Sequence, residues 1–181
     1  MVSKQVRCIF PFSTRPLQPD DPTQISSAFT GIGWNKPVSQ YERYLSEQTA
    51  GRRTVIVVLD GDTFAGYITV NWQPNYPPFR TENIPEIQDF NVLTQFRRQG
   101  LGSRLMDEAE QTVAQRDHHL VGVGVGLYAD YGAAQRMYTR RGYILDGRGL
   151  VSHGRFVKYG EAVVLDDDLV LYFTKALLQG N

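Results

Sequence analysis

The sequence predicts a single domain of the α/β (α+β) class, residues 1–181, with a mixed and mostly antiparallel sheet of six to seven strands flanked by helices. Three observations carry this expectation. The second half of the chain reads strand, helix, strand, helix, strand, and crossovers of that kind make parallel neighbours. An apolar hairpin ahead of it, Arg53 to Trp72, supplies antiparallel pairing, so the sheet must be mixed. The chain of 181 residues, 41% apolar and 21% charged, suffices for one full core and shows no repeat, low-complexity tract or linker that would divide it.

Lys4 to Phe10, KQVRCIF, reads as a first strand, ended by the proline-bearing PFSTRPLQPDDP. DPTQISSAFT starts a helix, with Asp21 as its cap and Pro22 at the first helical position, where a missing N–H does no harm. KPVSQYERYLSEQTAG is a second helix, in which Val38, Tyr41, Tyr44 and Leu45 share a face and Gly51 is the stop. RTVIVVLD and FAGYITVNW are β-branched and aromatic strands joined by the turn GDT. QPNYPPFRTENIP holds four of the nine prolines and reads as a long, irregular surface loop. EIQDFNVL is the next strand, followed by a basic glycine turn and a helix from about Gly100 to Arg116. HLVGVGVGLYA alternates valine with glycine, a strand whose Gly122, Gly124 and Gly126 leave one face bare for something to approach closely. DYGAAQRMYTRRG is a helix stopped by Gly142, and YILDG is a short strand. EAVVLDDDLVLYFTKAL is strand-like on both sides of Asp166 to Asp168.

Lys and Arg together number 19, as do Asp and Glu, so the formal charge is zero. A nucleic-acid or membrane-surface binder needs a basic excess to neutralise phosphates, and the balance argues against both. Cys8 is the sole cysteine, which rules out an internal disulfide and a cysteine metal cluster; it reads as a buried core residue. The N-terminus lacks the apolar core of a signal peptide, and no run approaches the ~20 apolar residues of a membrane span, so the expected location is cytoplasmic. His118, His119 and His153 form no recognisable metal site, for want of a third ligand at suitable spacing. Asp166 to Asp168 read as a solvated turn, or as carboxylates offered to a cationic substrate or a partner chain.

The chemistry concentrates in QFRRQGLGSRLMDEAE, Gln95 to Glu110. The first amides of a helix have no intrahelical partner and carry partial positive charge. Gly100 and Gly102 clear side chains from that spot, Ser103 adds a hydroxyl, and Arg97 and Arg98 add full charges suited to phosphate oxygens. No Gly-Lys-Ser/Thr follows, so the turn is not a nucleotide-hydrolysing P-loop, and Leu105 stands where G-x-G-x-x-G needs its third glycine. Taken alone, the stretch is either an anion cradle or a tight turn with solvated arginines. Downstream, Ala133, Ala134, Met137 and Tyr138 fall at helical spacing, and Tyr138 by itself reads as a core aromatic.

Together the two stretches resemble the GNAT superfamily of acyl-CoA-dependent N-acyltransferases. The family's Q/R-x-x-G-x-G/A motif is matched by Arg97-Arg98-Gln99-Gly100-Leu101-Gly102. Its N-x-x-A-x-x-x-Y followed by G-F/Y is matched by Ala134, Tyr138 and Gly142-Tyr143, with Tyr131 in the asparagine position. The order of elements agrees from Lys4 to about Lys175. The resemblance implies that strands four and five splay apart and that the pantetheine arm of acetyl-CoA lies between them, paired with the backbone of Asn91, Val92 and Leu93. It places the pyrophosphate on the amides from Arg98 through Gln99, Gly100, Leu101 and Gly102 to Ser103, with Arg97, Tyr131 and Gln135 as further cofactor contacts. No metal is implied.

The implied reaction is direct transfer of the acetyl group to a primary amine. Tyr138 would be the general acid that protonates the departing sulfur. Glu86, eleven residues before Arg97, holds the offset of the family's glutamate and is the candidate base, with Asp89 in reserve and a water chain as a third route. The expected acceptor is a small-molecule amine; a protein or peptide amine, or a non-catalytic acyl-CoA sensor with the same fold, are the alternatives. The substrate surface is expected from the two N-terminal helices, Gln73 to Pro85 and Gly147 to Glu161, with Tyr41, Tyr44, Trp72, Tyr76 and Phe79 as contacts. A homodimer that uses the last strand fits the resemblance.

Overall fold

The computed structural model describes residues 12–177. In chain order its elements are β1 (Phe12–Pro16), α1 (Asp21–Thr30), α2 (Val38–Thr49), β2 (Arg53–Asp60), β3 (Thr63–Asn71), α3 (Pro77–Thr81), β4 (Glu86–Val92), α4 (Leu101–Ala114), β5 (Leu120–Gly126), α5 (Gly132–Arg140), β6 (Ile144–Ser152), β7 (Arg155–Phe156) and β8 (Leu169–Ala176). The sheet is built around the apolar hairpin: β2 and β3 meet across Gly61 and Asp62, with Asp60 opposite Thr63 and Gly61 at φ +57°. The strand order is β1-β2-β3-β4-β5-β8-β6-β7, and among these pairs only β4 with β5 is parallel. The two-residue β7 brings the count to eight, one above the expected range.

Strand alternation sorts the core into layers. Ile56, Val58, Ile68, Val70, Ile87, Val121, Val123 and Val125 pack against Leu101, Leu105, Met106, Ala109 and Val113 of α4 and against Tyr138 of α5. On the opposite face Val55, Val57, Leu59 and Tyr67 meet Ile25 and Phe29 of α1 and Tyr41 and Tyr44 of α2. A third cluster gathers Tyr76, Phe79 and Ile84 with Val151 of β6.

Several local expectations are corrected. The strand expected at Lys4 to Phe10, and Cys8 in it, lie outside the described residues. Phe12–Pro16, expected to end that strand, is itself β1; proline is tolerated because β1 is an edge strand. Asp21 does not cap α1. Its carboxylate accepts the Gln18 amide at 2.6 Å and the Arg15 guanidinium at 2.6 and 2.8 Å. The proline-rich loop contains α3, since Pro77 and Pro78 occupy a first turn that needs no N–H donors. β6 extends to Ser152, beyond the expected YILDG. Residues 161–165 are not strand; Val164 and Leu165 are exposed, and β8 begins only at Leu169. Among the described residues, no helix is long and apolar enough to cross a membrane.

Candidate active site

β4 and β5 pair at two positions only, Glu86 with Gly122 and Ile87 with Val123. Beyond them β4 stays with β3 alone. Thr69 faces Gln88 and Tyr67 faces Asn91, so Asp89 and Phe90 together oppose Ile68 in a bulge, and Asp89 takes φ +42°. A bulge bends its strand and increases the twist, which opens a gap between the C-terminal halves of β4 and β5. The Asp89 carboxylate fastens the bulge. It accepts hydrogen bonds from Lys36 Nζ (2.8 Å), Gln40 Nε2 (2.6 Å), Tyr44 OH (3.0 Å), Tyr67 OH (2.6 Å) and Asn91 Nδ2 (2.8 Å). With five donors upon it, Asp89 ties β4 to the α2 side of the sheet and has no lone pair to offer as a base, which corrects its place as reserve candidate.

At the end of β4 the chain makes the glycine turn. Leu101, 1% exposed, anchors the start of α4 in the core. Arg98 and Gly100 both adopt left-handed backbone, φ +61° and +83°, which turns successive amides toward one side. The amides from Arg98 to Ser103 have no acceptor among the described residues; the first to find one is Arg104, on Gly100 O at 3.1 Å. A Cβ at Gly102 would stand 3.3 Å from Phe90 Cζ, a tight contact, so the helix starts close against the Phe90 ring of β4. This donor set suits an anion such as a pyrophosphate. Arg97 lays its Nε on Val92 O at 2.9 Å, over the edge of the gap.

The bare face of β5 is covered by rings and one carboxylate. Cβ atoms would collide with Phe79 at Gly122 and with Tyr131 at Gly126, and at Gly124 would meet Tyr172 at 3.1 Å and Glu86 Oε1 at 3.4 Å. Over Gly124 and Gly126 lies a cleft of about 220 Å³ whose walls include Glu86, Tyr131, Asp167, Asp168 and Tyr172. Glu86 is 4% exposed. Burial pushes its carboxyl up to about 7, an effect only partly offset by the hydrogen bond from Gln88, the charge of Arg53 and the amide of Gly124. A carboxyl poised there can take a proton near neutral pH.

Tyr138 approaches from the other face, in the cluster with Val123 and Val125, its ring edge-on to Tyr143 at 5.5 Å. Burial raises its hydroxyl well above the ordinary tyrosine range, so it remains protonated. That hydroxyl has no hydrogen-bond partner among the described residues, where no fully buried side-chain N or O lacks one, so its oxygen touches solvent. Glu86 and Tyr138 thus lie on opposite faces of β5, one beside Gly124 and the other beside Val123 and Val125.

The sequence model of the acetyltransferase (GNAT) family matches residues 20–143. The chain belongs to the GNAT acetyltransferases. The fold is shared with an N-acetyltransferase from Staphylococcus aureus (TM-score 0.67, 12% identity, 91% of this chain and 98% of that one). It is shared also with Ard1 from Thermoplasma volcanium (TM-score 0.65, 19% identity, 93% and 99%). A third match is a GNAT-family acetyltransferase from Elizabethkingia anophelis with acetyl-CoA bound (TM-score 0.61, 12% identity, 92% and 99%). No curated protein matches the sequence significantly.

In this acetyltransferase the other expected cofactor residues divide. The Leu93 amide donates to Ala65 O at 2.9 Å and its carbonyl accepts from Phe96 at 2.9 Å, so of its backbone groups only the second lone pair of the carbonyl is left for pantetheine. Gln99 is exposed and turns its amide back onto Gln95 O at 3.3 Å. Gln135 Nε2 donates to Gly126 O at 2.8 Å and holds α5 to the end of β5. Tyr131 turns its hydroxyl to Asp167 Oδ1 at 3.0 Å, beside Tyr128 on the same carboxylate, so it stands on the Glu86 side of the gap. The expected aromatic contacts are mostly core. Tyr41, Tyr44, Tyr76 and Phe79 are each at most 6% exposed, and Trp72 carries Arg116 over its ring at 4.0 Å.

Sequence reasoning missed Tyr172 and the side chains behind Glu86, whereas Asp167 and Asp168, read as a solvated turn or as carboxylates offered to a cationic substrate, form part of the cleft wall. It also read no site at His153, whose Nε2 lies 3.7 Å from Asp166 Oδ2 and 3.6 Å from Asp168 Oδ2, an exposed group of three metal-capable side chains. The strand turn joins residues whose separation in sequence carried no signal. For the cradle we expect Gly102→Val, whose methyls meet Phe90, to raise the Kd for acetyl-CoA by about tenfold or more. Arg98→Glu, which puts an anion beside the same amides, is expected to act likewise. Calorimetric titration of both variants tests this, and wild-type affinity in both contradicts the assignment.

Proposed function

We propose that this GNAT protein transfers the acetyl group of acetyl-CoA to the primary amine of a small molecule, with Glu86 as general base and Tyr138 as general acid. The observation that carries the reading is the buried Glu86 carboxyl, held at about 7 and facing a cleft beside the opened β4–β5 pair. The residues present fit the donor: unpaired amides from Arg98 to Ser103 for its pyrophosphate, and the β5-facing edge of β4, unpaired beyond Ile87, for its amide-bearing arm. When bound, acetyl-CoA supplies an activated thioester carbonyl. Glu86 accepts the proton that an ammonium must lose before its nitrogen can attack, and Tyr138 gives a proton to the sulfur that leaves.

A small amine is favoured by the size of the cleft and by its charge. About 220 Å³ accommodates a compact ligand, and the three carboxylates Glu86, Asp167 and Asp168 attract an ammonium. Incubation with acetyl-CoA and a panel of primary amines, followed by mass spectrometry of the products, tests the reading. N-acetylation of small cationic amines is expected. Acetylation confined to peptide N-termini or protein lysines would replace it with the protein-amine reading.

A further inference from the structure

Behind Glu86 runs a row of buried polar groups that the reaction as described does not use. Glu86 Oε2 accepts a hydrogen bond from Gln88 Nε2 at 2.7 Å. At the other end of the same side-chain amide, Gln88 Oε1 accepts from Asn71 Nδ2 at 3.2 Å and from the Arg53 guanidinium at 3.4 and 3.5 Å. Arg53, 7% exposed, is held in turn by Glu47 Oε2 at 2.5 Å and Thr69 Oγ1 at 2.9 Å. Thr69 Oγ1 also bonds the backbone carbonyl of Gln88 at 2.9 Å. The row crosses β2, β3 and β4 and ends at the cleft.

The chemistry allows the amide only one orientation. A guanidinium can only donate and an ionised carboxylate can only accept, so the oxygen of Gln88 must face Arg53 and its NH2 must face Glu86. A flipped amide would set oxygen against carboxylate and N–H against guanidinium. We propose that Gln88, locked by Arg53, is a positioning residue that turns the Glu86 carboxylate toward the cleft and stabilises its ionised form. The proposal rests on the reading of Glu86 as the base. The other groups that face Glu86 do not replace this donor. The Gly124 amide of β5 gives one further hydrogen bond, and Tyr172 of β8 is a neutral phenol. Tyr131 is committed to Asp167, and Asp167 and Asp168, on the cleft wall, are carboxylates that offer Glu86 no donor. Phe79 of α3 brings only its ring.

The test follows the titration of Glu86 by carboxyl-carbon NMR, assigned by its loss in Glu86→Gln, alongside the pH profile of kcat/KM. In Gln88→Met the midpoint is expected to rise by about one pH unit, and the acid limb of kcat/KM with it. Activity below the limb then falls about tenfold and recovers as pH is raised, which a merely structural defect would not do. Gln88→Glu keeps the size of the side chain and a partner for Arg53, so it folds if Gln88→Met does not, and it should raise the midpoint further through like charge. An unmoved midpoint in both variants overturns the proposal. A midpoint that rises while the kcat/KM limb stays in place upholds Gln88 as the partner of Glu86 and refutes Glu86 as the base.

Discussion

Glu86→Gln is expected to lower kcat/KM for the amine by about a hundredfold to a thousandfold and to leave acetyl-CoA affinity within about twofold of wild type. Glutamine preserves the volume of the side chain but cannot take a proton. The sign of the pH dependence follows from the raised carboxyl. Below about 7 Glu86 is mostly protonated and above it mostly ionised, so with Glu86 as the proposed base wild-type kcat/KM is expected to climb through that region and level beyond it. Steady-state kinetics over the neutral range should show this limb in wild type and its absence in Glu86→Gln. Affinity is spared because the cradle at Arg98 to Ser103 lies at the opposite end of β4 from Glu86. A variant that keeps wild-type kcat/KM throughout would leave the proton to water.

Tyr138→Phe is expected to lower kcat by about a hundredfold, also with acetyl-CoA affinity retained. The change removes one oxygen and nothing else. The ring keeps its edge-on contact with Tyr143 and its place beside Val123 and Val125, and no hydrogen bond within the described protein is lost. Stability should therefore hold within about 1 kcal/mol, measurable by thermal unfolding, which separates a catalytic effect from a folding one. Because burial keeps the hydroxyl protonated, the loss should be nearly uniform across neutral pH, in contrast to the limb set by Glu86. A rate equal to wild type would remove Tyr138 from the mechanism.

The features legible in the sequence are those written in local pattern. Alternating β-branched residues mark the β2–β3 hairpin, two glycines and two arginines mark the cradle, and the valine–glycine alternation marks β5 with its bare face. The features that escaped depend on what a segment meets in space. Prolines at 77 and 78 read as helix breakers, although they sit in a first turn that tolerates them, and α3 is stabilised by burial of Phe79 against Gly122 of β5. Tyr41 and Tyr44 read as possible substrate contacts because helical periodicity gives a face but not its partner; the partner is the β2–β3 face of the sheet.

Asp89 and Glu86 illustrate the same limit within a single strand. They are three residues apart, yet one is saturated by donors from Lys36, Gln40, Tyr44, Tyr67 and Asn91, while the other faces a cleft. Their offset from the glycine motif pointed to Glu86, but its raised proton affinity arises from burial, only partly offset by Gln88, Arg53 and the Gly124 amide, and sequence spacing does not reveal that burial. The bulge at Asp89 and Phe90, which parts β4 from β5, is likewise a matter of register between strands.

The most direct test of the account is a titration of the protein with acetyl-CoA by calorimetry, followed in the same sample by thiol release on addition of small primary amines. The account predicts saturable binding and then amine-dependent release of CoA thiol. Binding without release for any amine would contradict the catalytic roles of Glu86 and Tyr138 and leave an acyl-CoA sensor, and failure to bind would contradict the cradle itself.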